Sequence, residues 1–166
     1  MKKAFLALIL PALLLATLTN PTPANAAGNY YRLQTRLEYN GNPLCIQGNG
    51  QGNTVTLAVC STSSRQKFAY YNLNGYPVLA NVGYSPALAL NASAYTAGTN
   101  IGLQTIAGNA HQGWYWDSAY TRGGAIWLAS HPGMVLEPRS VTPGAIVELQ
   151  VGDGKGGTQG WKMYPW

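Results

Sequence analysis

Gln66-Lys67-Phe68, Gln112-Gly113-Trp114 and Gln159-Gly160-Trp161 carry one signature, a glutamine, a spacer and a ring, at intervals of 46 and 47 residues. A second landmark keeps the same step. Leu57, Leu103 and Leu149, within residues 54–59, 100–105 and 145–151, lie 46 and 46 apart. Upstream of each leucine sits a Pro-led apolar run: Pro43-Leu-Cys-Ile46, Pro86-Ala-Leu-Ala-Leu90 and Pro132-Gly-Met-Val-Leu136. A fixed period of this length marks a repeat whose units are each too small to bury an apolar face alone. Three copies account for nearly all of residues 30–166.

Each copy reads as short strands. Ile101, Leu103 and Thr105 alternate with Gly102 and Gln104, and Val147, Leu149 and Val151 alternate with Glu148 and Gln150, the period of a strand with one buried face. Gly48-Asn-Gly50, Asn72-Leu-Asn-Gly75, Gly123-Gly124 and Gly152-Asp-Gly154 punctuate the runs as turns. First strands are predicted around residues 31–37, 76–80 and 126–129, which makes four strands per copy and twelve in all. Three equivalent units of this kind close a barrel and cap it with hairpins, so that no sheet edge stays open. The expected fold is all-β and pseudo-threefold, with copies at about residues 30–75, 76–122 and 123–166.

Composition agrees with a folded, turn-rich domain. Of 166 residues 46% are hydrophobic and only 9% charged, against about 25% charged in ordinary soluble domains. That excludes a charge-rich disordered chain and a long solvated coiled coil. Lys2 and Lys3, the apolar run 4–18 and the Ala24-Asn-Ala26 site read as a Sec-type signal peptide, residues 1–26. The run is too short and too interrupted by proline for the roughly 20 apolar residues of a membrane span. A secreted or periplasmic protein is expected, with one domain over residues 27–166. In an oxidising compartment Cys45 and Cys60 are expected to pair, the alternative being two buried free thiols. They lack the nearby His or carboxylates that a tetrahedral metal site needs. The basic residues beyond the leader, Arg32, Arg36, Arg65, Lys67, Arg122, Arg139, Lys155 and Lys162, are scattered along the chain, which argues against nucleic acid as a partner. Arg32 and Arg36 read as a solvated strand face.

The threefold Gln-x-ring signature, the paired cysteines and three copies in one small domain resemble the ricin-type β-trefoil lectins. The resemblance implies a β-trefoil whose Gln66, Phe68, Gln112, Trp114, Gln159 and Trp161 are structural. It also implies where sugar would bind. Galactose-binding members have an Asp after the Cys-hydrophobic pair, an aromatic after the repeated Leu, and an Asn before the Gln. Those positions here hold Gln47, Asn91 and Glu137, then Ala58, Gln104 and Gln150, then Arg65, His111 and Thr158. No copy keeps the full set. Asn91, Gln104 and His111 in the second copy and Glu137, Gln150 and Thr158 in the third are polar substitutes that suit a different saccharide, whereas Ala58 and Arg65 make the first copy the poorest candidate.

Catalysis is not expected. Five carboxylates (Glu38, Asp117, Glu137, Glu148, Asp153) and two imidazoles (His111, His131) form no nucleophile elbow, His-Glu-x-x-His or paired-carboxylate motif. No cofactor is called for. The expected function is secreted carbohydrate binding, with glycans or a glycosylated surface as partner. The alternative is a protein-interaction or receptor-binding subunit of a secreted toxin or effector complex, similar to the accessory subunits of cytolethal distending toxin. Tyr and Trp are more numerous than a small barrel needs for filling, and Tyr115-Trp-Asp-Ser-Ala-Tyr120 is the densest candidate surface patch.

Overall fold

The computed structural model describes residues 29–117 and 124–166; the leader, residues 118–123 and the part of the aromatic patch that they contain lie outside it. Among the described residues twelve strands run in chain order: β1 (Tyr30–Tyr39), β2 (Asn42–Gln47), β3 (Thr56–Val59), β4 (Phe68–Leu73), β5 (Tyr76–Asn81), β6 (Leu88–Ala92), β7 (Thr99–Thr105), β8 (Trp114–Asp117), β9 (Ala125–Leu128), β10 (Met134–Pro138), β11 (Val147–Val151) and β12 (Trp161–Pro165). Single 3-10 turns at Ser64–Gln66 and Gly157–Gln159 precede β4 and β12.

Six of the strands close a barrel. β1 pairs with β4, β4 with β5, β8 with β9 and β12 with β1, all antiparallel. The bridges Val78 to Gly113 and Gly124 to Trp161 complete the ring. The other six form the hairpins β2–β3, β6–β7 and β10–β11. They lean on one another across the threefold axis: Leu57 donates its amide to Ala145 O, Val55 to Ile101 O and Gly98 to Leu149 O, at 2.8, 2.9 and 2.8 Å. The result is a β-trefoil of three four-stranded units.

The repeated residues explain why the ring closes. Phe68, Trp114 and Trp161 open the last strand of each unit and are fully buried, as are Leu103 and Leu149, with Leu57 at 1% exposure. All six belong to one apolar cluster with Leu33, Leu79 and Ile126 from the first strands. An indole buries a large area but must place its N–H. Trp114 donates to Leu90 O at 3.0 Å and Trp161 to Leu136 O at 2.8 Å, tying each barrel strand to its own hairpin. Phe68 fills the same site without that donor.

Two hairpins turn on Asn-Gly pairs. Asn74 and Gly75, at φ 53° and 83°, join β4 to β5, and Asn40 and Gly41, at φ 51° and 75°, join β1 to β2. Positive φ at both central residues is the type I′ turn whose twist matches the flanking strands, and Asn-Gly adopts it at least cost. The disulfide is formed: Cys45 on β2 is bonded to Cys60, just past β3, across a separation of 15 residues.

Candidate functional site

Each unit builds the same clamp beside its hairpin. The glutamine before the ring folds back on the end of its own third strand. Gln66 Nε2 donates to Val59 O at 3.0 Å, Gln112 Nε2 to Thr105 O at 2.9 Å and Gln159 Nε2 to Val151 O at 3.0 Å. The amide oxygen accepts from the backbone N–H of Ser61, Ala107 and Asp153, at 2.8, 2.8 and 2.9 Å. A second bond closes the turn itself, from the backbone N–H of each glutamine to Ser63, Asn109 or Gly156 O. These buried amides leave no polar atom unpaired, which is the condition for burying them. The clamps fix the residue just before each glutamine, Arg65, His111 or Thr158, beside its hairpin.

What stands opposite differs from lobe to lobe. In the third lobe Glu137 projects from β10, and its carboxylate takes a hydrogen bond from the Thr158 hydroxyl on one oxygen. Its other oxygen accepts the second amide hydrogen of Gln159 at 2.8 Å. Of the roughly four lone-pair sites on a carboxylate two are then used, so the group is held in one rotamer with acceptor capacity left over. Gln150, on β11 across from Val135, instead donates to Glu148 Oε1 at 2.7 Å. Glu148 lies opposite Glu137 in register. Arg139 turns that carboxylate away, donating to Glu148 Oε2 at 2.6 Å and to Asn100 Oδ1 at 2.9 Å.

Burial pushes the Glu148 carboxyl upward, but the hydrogen bonds from Arg139 and Gln150 and the Arg139 charge together outweigh it and hold the group below the ordinary carboxylate range. A depressed folded-state value contributes stability above the unfolded value, and that stability is lost as pH falls through the folded one. Arg139 is half exposed at 50%, so screening limits the pair to about 1 kcal/mol or less. Urea midpoints of the wild type are expected to fall on acidification below pH 4.5, the ordinary value, with Glu148→Gln falling less over the same window. Parallel curves would show that the pair contributes nothing.

The second lobe is arranged otherwise. Asn91 lies opposite Gly102, and Gln104 opposite Ala89, on one face of β6–β7. Among the described residues neither amide side chain makes a hydrogen bond to protein. His111 donates from Nδ1 to Ala92 O at 2.7 Å and stacks on Tyr95, centroids 4.6 Å apart. His131, from the turn before β10, also stacks on this ring, at 3.9 Å. Tyr95 is thus the ring that both imidazoles engage. Neither the alternation nor the repeat pointed to it, because it sits in the β6–β7 turn with no counterpart ring in the other units. In the first lobe Gln47 and Ala58 lie on β2 and β3, and Arg65 is exposed on the 3-10 turn with its carbonyl accepting from Gly48 N and Asn81 Nδ2. The structure thus joins Glu137 to Thr158, sends Gln150 to a different carboxylate, and leaves Asn91, Gln104 and His111 unlinked to one another.

The basic residues are less scattered in space than in sequence. Arg32 is not a freely solvated strand residue: its guanidinium lies 6.0 Å from the Trp166 ring centroid, and Lys67 shares that ring at 5.4 Å. A shallow cleft of about 260 Å³ is lined by Asp117, Trp127, Gly133, Val135 and Gly152, beside the β10–β11 hairpin.

No protein-family model matches the chain, and no curated protein matches it. Solved structures do. A designed threefold-symmetric protein, ThreeFoil, superposes with a TM-score of 0.71 at 20% identity, over 83% of this chain and 99% of that one. The chain has the β-trefoil fold. The C-half of the earthworm R-type lectin, solved in complex with GalNAc, gives a TM-score of 0.63 at 17% identity, over 83% of this chain and 99% of that one. A mosquitocidal holotoxin gives 0.71 at 14% identity, with 84% of this chain spanning 17% of the toxin's length. At these identities the likeness speaks for the fold.

Proposed function

We propose that this protein is a secreted carbohydrate-binding module of lectin type, and that the third lobe is its working pocket. The observation that carries the reading is the Glu137 carboxylate, fixed by Thr158 and Gln159 with acceptor sites unspent. It stands where the β-trefoil lectins use an Asp. A held carboxylate recognises a pair of sugar hydroxyls without having to be ordered on binding. Gln150 stands where an aromatic platform would supply apolar contact, so a single site is weak, and useful affinity requires several copies on one surface. The GalNAc-bound earthworm lectin half supports this reading as an analogue of the same fold.

The test is a ¹⁵N NMR titration of the purified protein with a panel of neutral, acetamido and acidic monosaccharides. Shifts confined to Glu137, Thr158, Gln159 and their neighbours are expected for at least one sugar, with dissociation constants in the millimolar range, about −4 kcal/mol. Glu137→Ala should abolish them while leaving the spectrum folded. Silence across the panel rejects the reading, and shifts only at Asn91 and His111 move it to the second lobe.

A second reading, a receptor-binding or delivery subunit of a secreted toxin or effector complex, draws support from the exposed rings on β8, Tyr115 at 43% and Trp116 at 36%. Rings of this size at a surface are the usual anchors of protein interfaces. Co-purification of a secreted effector that is lost on Tyr115→Ala/Trp116→Ala would favour it over the first reading.

A further inference from the structure

Three strands of the barrel wall place cations and rings in alternation. Register sets the pattern. On β1 and β12, Arg32 faces Tyr164 and Gln34 faces Lys162, while Trp166 donates its amide to Tyr30 O at 2.7 Å. On the other side β4 pairs with β1 through Tyr30 to Ala69 and Tyr31 to Phe68, which brings Lys67 alongside Arg32. The side chains follow. Lys67 Nζ stands 4.1 Å above the Tyr30 ring and 5.4 Å from that of Trp166, Arg32 lies 6.0 Å from Trp166, and Lys162 Nζ 5.8 Å from Tyr164.

The charge on this wall is uncompensated by acid. Among the described residues the ion pair is Arg139 with Glu148, on the third lobe, and Arg32, Lys67 and Lys162 belong to none. Ring quadrupoles hold the three cations in place but do not neutralise them, so their mutual repulsion stands until an anion arrives. Tyr164 and Trp166 keep 40% and 39% of their surface open, enough apolar area to receive a flat partner. The surface is a sheet face and not a groove.

We infer that this wall, formed by Tyr30, Arg32, Lys67, Lys162, Tyr164 and Trp166, is a second binding site, for an acidic polysaccharide. A uronate or sulfated pyranose carries one anionic group and one apolar ring face per residue, the same alternation of charge and ring that the wall presents. The cations take the carboxylate or sulfate while the exposed surface of Tyr164 and Trp166 packs on the sugar. The site is independent of the third-lobe pocket: it shares no residue with it and recognises charge, where Glu137 repels it.

The experiment compares wild type with Arg32→Gln/Lys67→Gln/Lys162→Gln and with Tyr164→Ala/Trp166→Ala, using polygalacturonate and heparin as probes, dextran as neutral control, and single-stranded DNA and phosphatidylglycerol vesicles as other anions. Wild type should bind an acidic polysaccharide and not dextran, weakening as NaCl rises from 50 to 500 mM. The charge variant should lose about tenfold or more, as expected for three partly screened contacts. The ring variant should lose about threefold or more beyond any change in its salt dependence. Both should keep the wild-type melting temperature and the monosaccharide shifts at Glu137, which separates failure here from failure of the third-lobe pocket. Equal binding by wild type and charge variant overturns the site. Tighter binding to DNA or to vesicles through the same residues overturns the polysaccharide assignment, and an unaffected ring variant overturns the stacking half of it.

Discussion

Replacing Trp161 by alanine is expected to cost about 3–5 kcal/mol, the range for emptying a large aromatic site in a packed core, with a further loss because Leu136 O surrenders its indole donor. Trp161 is wholly buried and starts the strand that closes the ring against β1. Most of the stability of a domain of this size, about 5–15 kcal/mol in all, would be at risk. Trp161→Phe is the informative partner. It keeps the ring but strands the carbonyl, and should cost less than half as much, since the first unit already works with Phe68 at the equivalent place. Equilibrium urea unfolding of both variants gives the comparison. An alanine variant within 1 kcal/mol of wild type would mean that the shared core is not what the repeated rings build.

Reducing the Cys45–Cys60 bond, or replacing both residues by alanine, is the second large effect. A closed loop of 15 residues restricts the unfolded chain by about 3 kcal/mol in the loop-entropy model. The melting temperature should fall by roughly 10 °C for a domain between the small and medium size classes, with the native spectrum otherwise intact. Calorimetry with and without reductant measures it. Because the bond staples only the β2–β3 hairpin, the second and third lobes should keep their NMR shifts. A loss of structure throughout would show instead that the first hairpin nucleates the other two.

The first effect was legible in the sequence because it rests on what the three units share, and the second because an exported chain with two cysteines is expected to pair them. Gln66, Gln112 and Gln159 recur at the period of the repeat and make the same backbone clamp in each unit, so periodicity alone pointed to a common structural task. The site is legible only in part, for the complementary physical reason. Glu137 and Thr158 are 21 residues apart, and a side-chain bond between them depends on how the hairpin meets the 3-10 turn. Gln150 occupies the matching place in sequence, yet the Arg139 charge next door draws Glu148 aside, and Gln150 follows it. Tyr95 and its two imidazoles, like the Asn40-Gly41 turn, have no partner at the repeat interval. The basic wall escaped for the same cause: Arg32, Lys67 and Lys162 occupy non-equivalent positions in their units and converge only through strand register.

That convergence ties recognition to completion of the chain's topology. Tyr31 pairs with Pro165, nearly the greatest sequence separation the domain offers, and contacts of that kind form late because the intervening loop entropy must be overcome first. A wall assembled across such a seam does not exist in a nascent, truncated or partly opened molecule, so any polymer it holds would distinguish finished protein from unfinished by that contact alone.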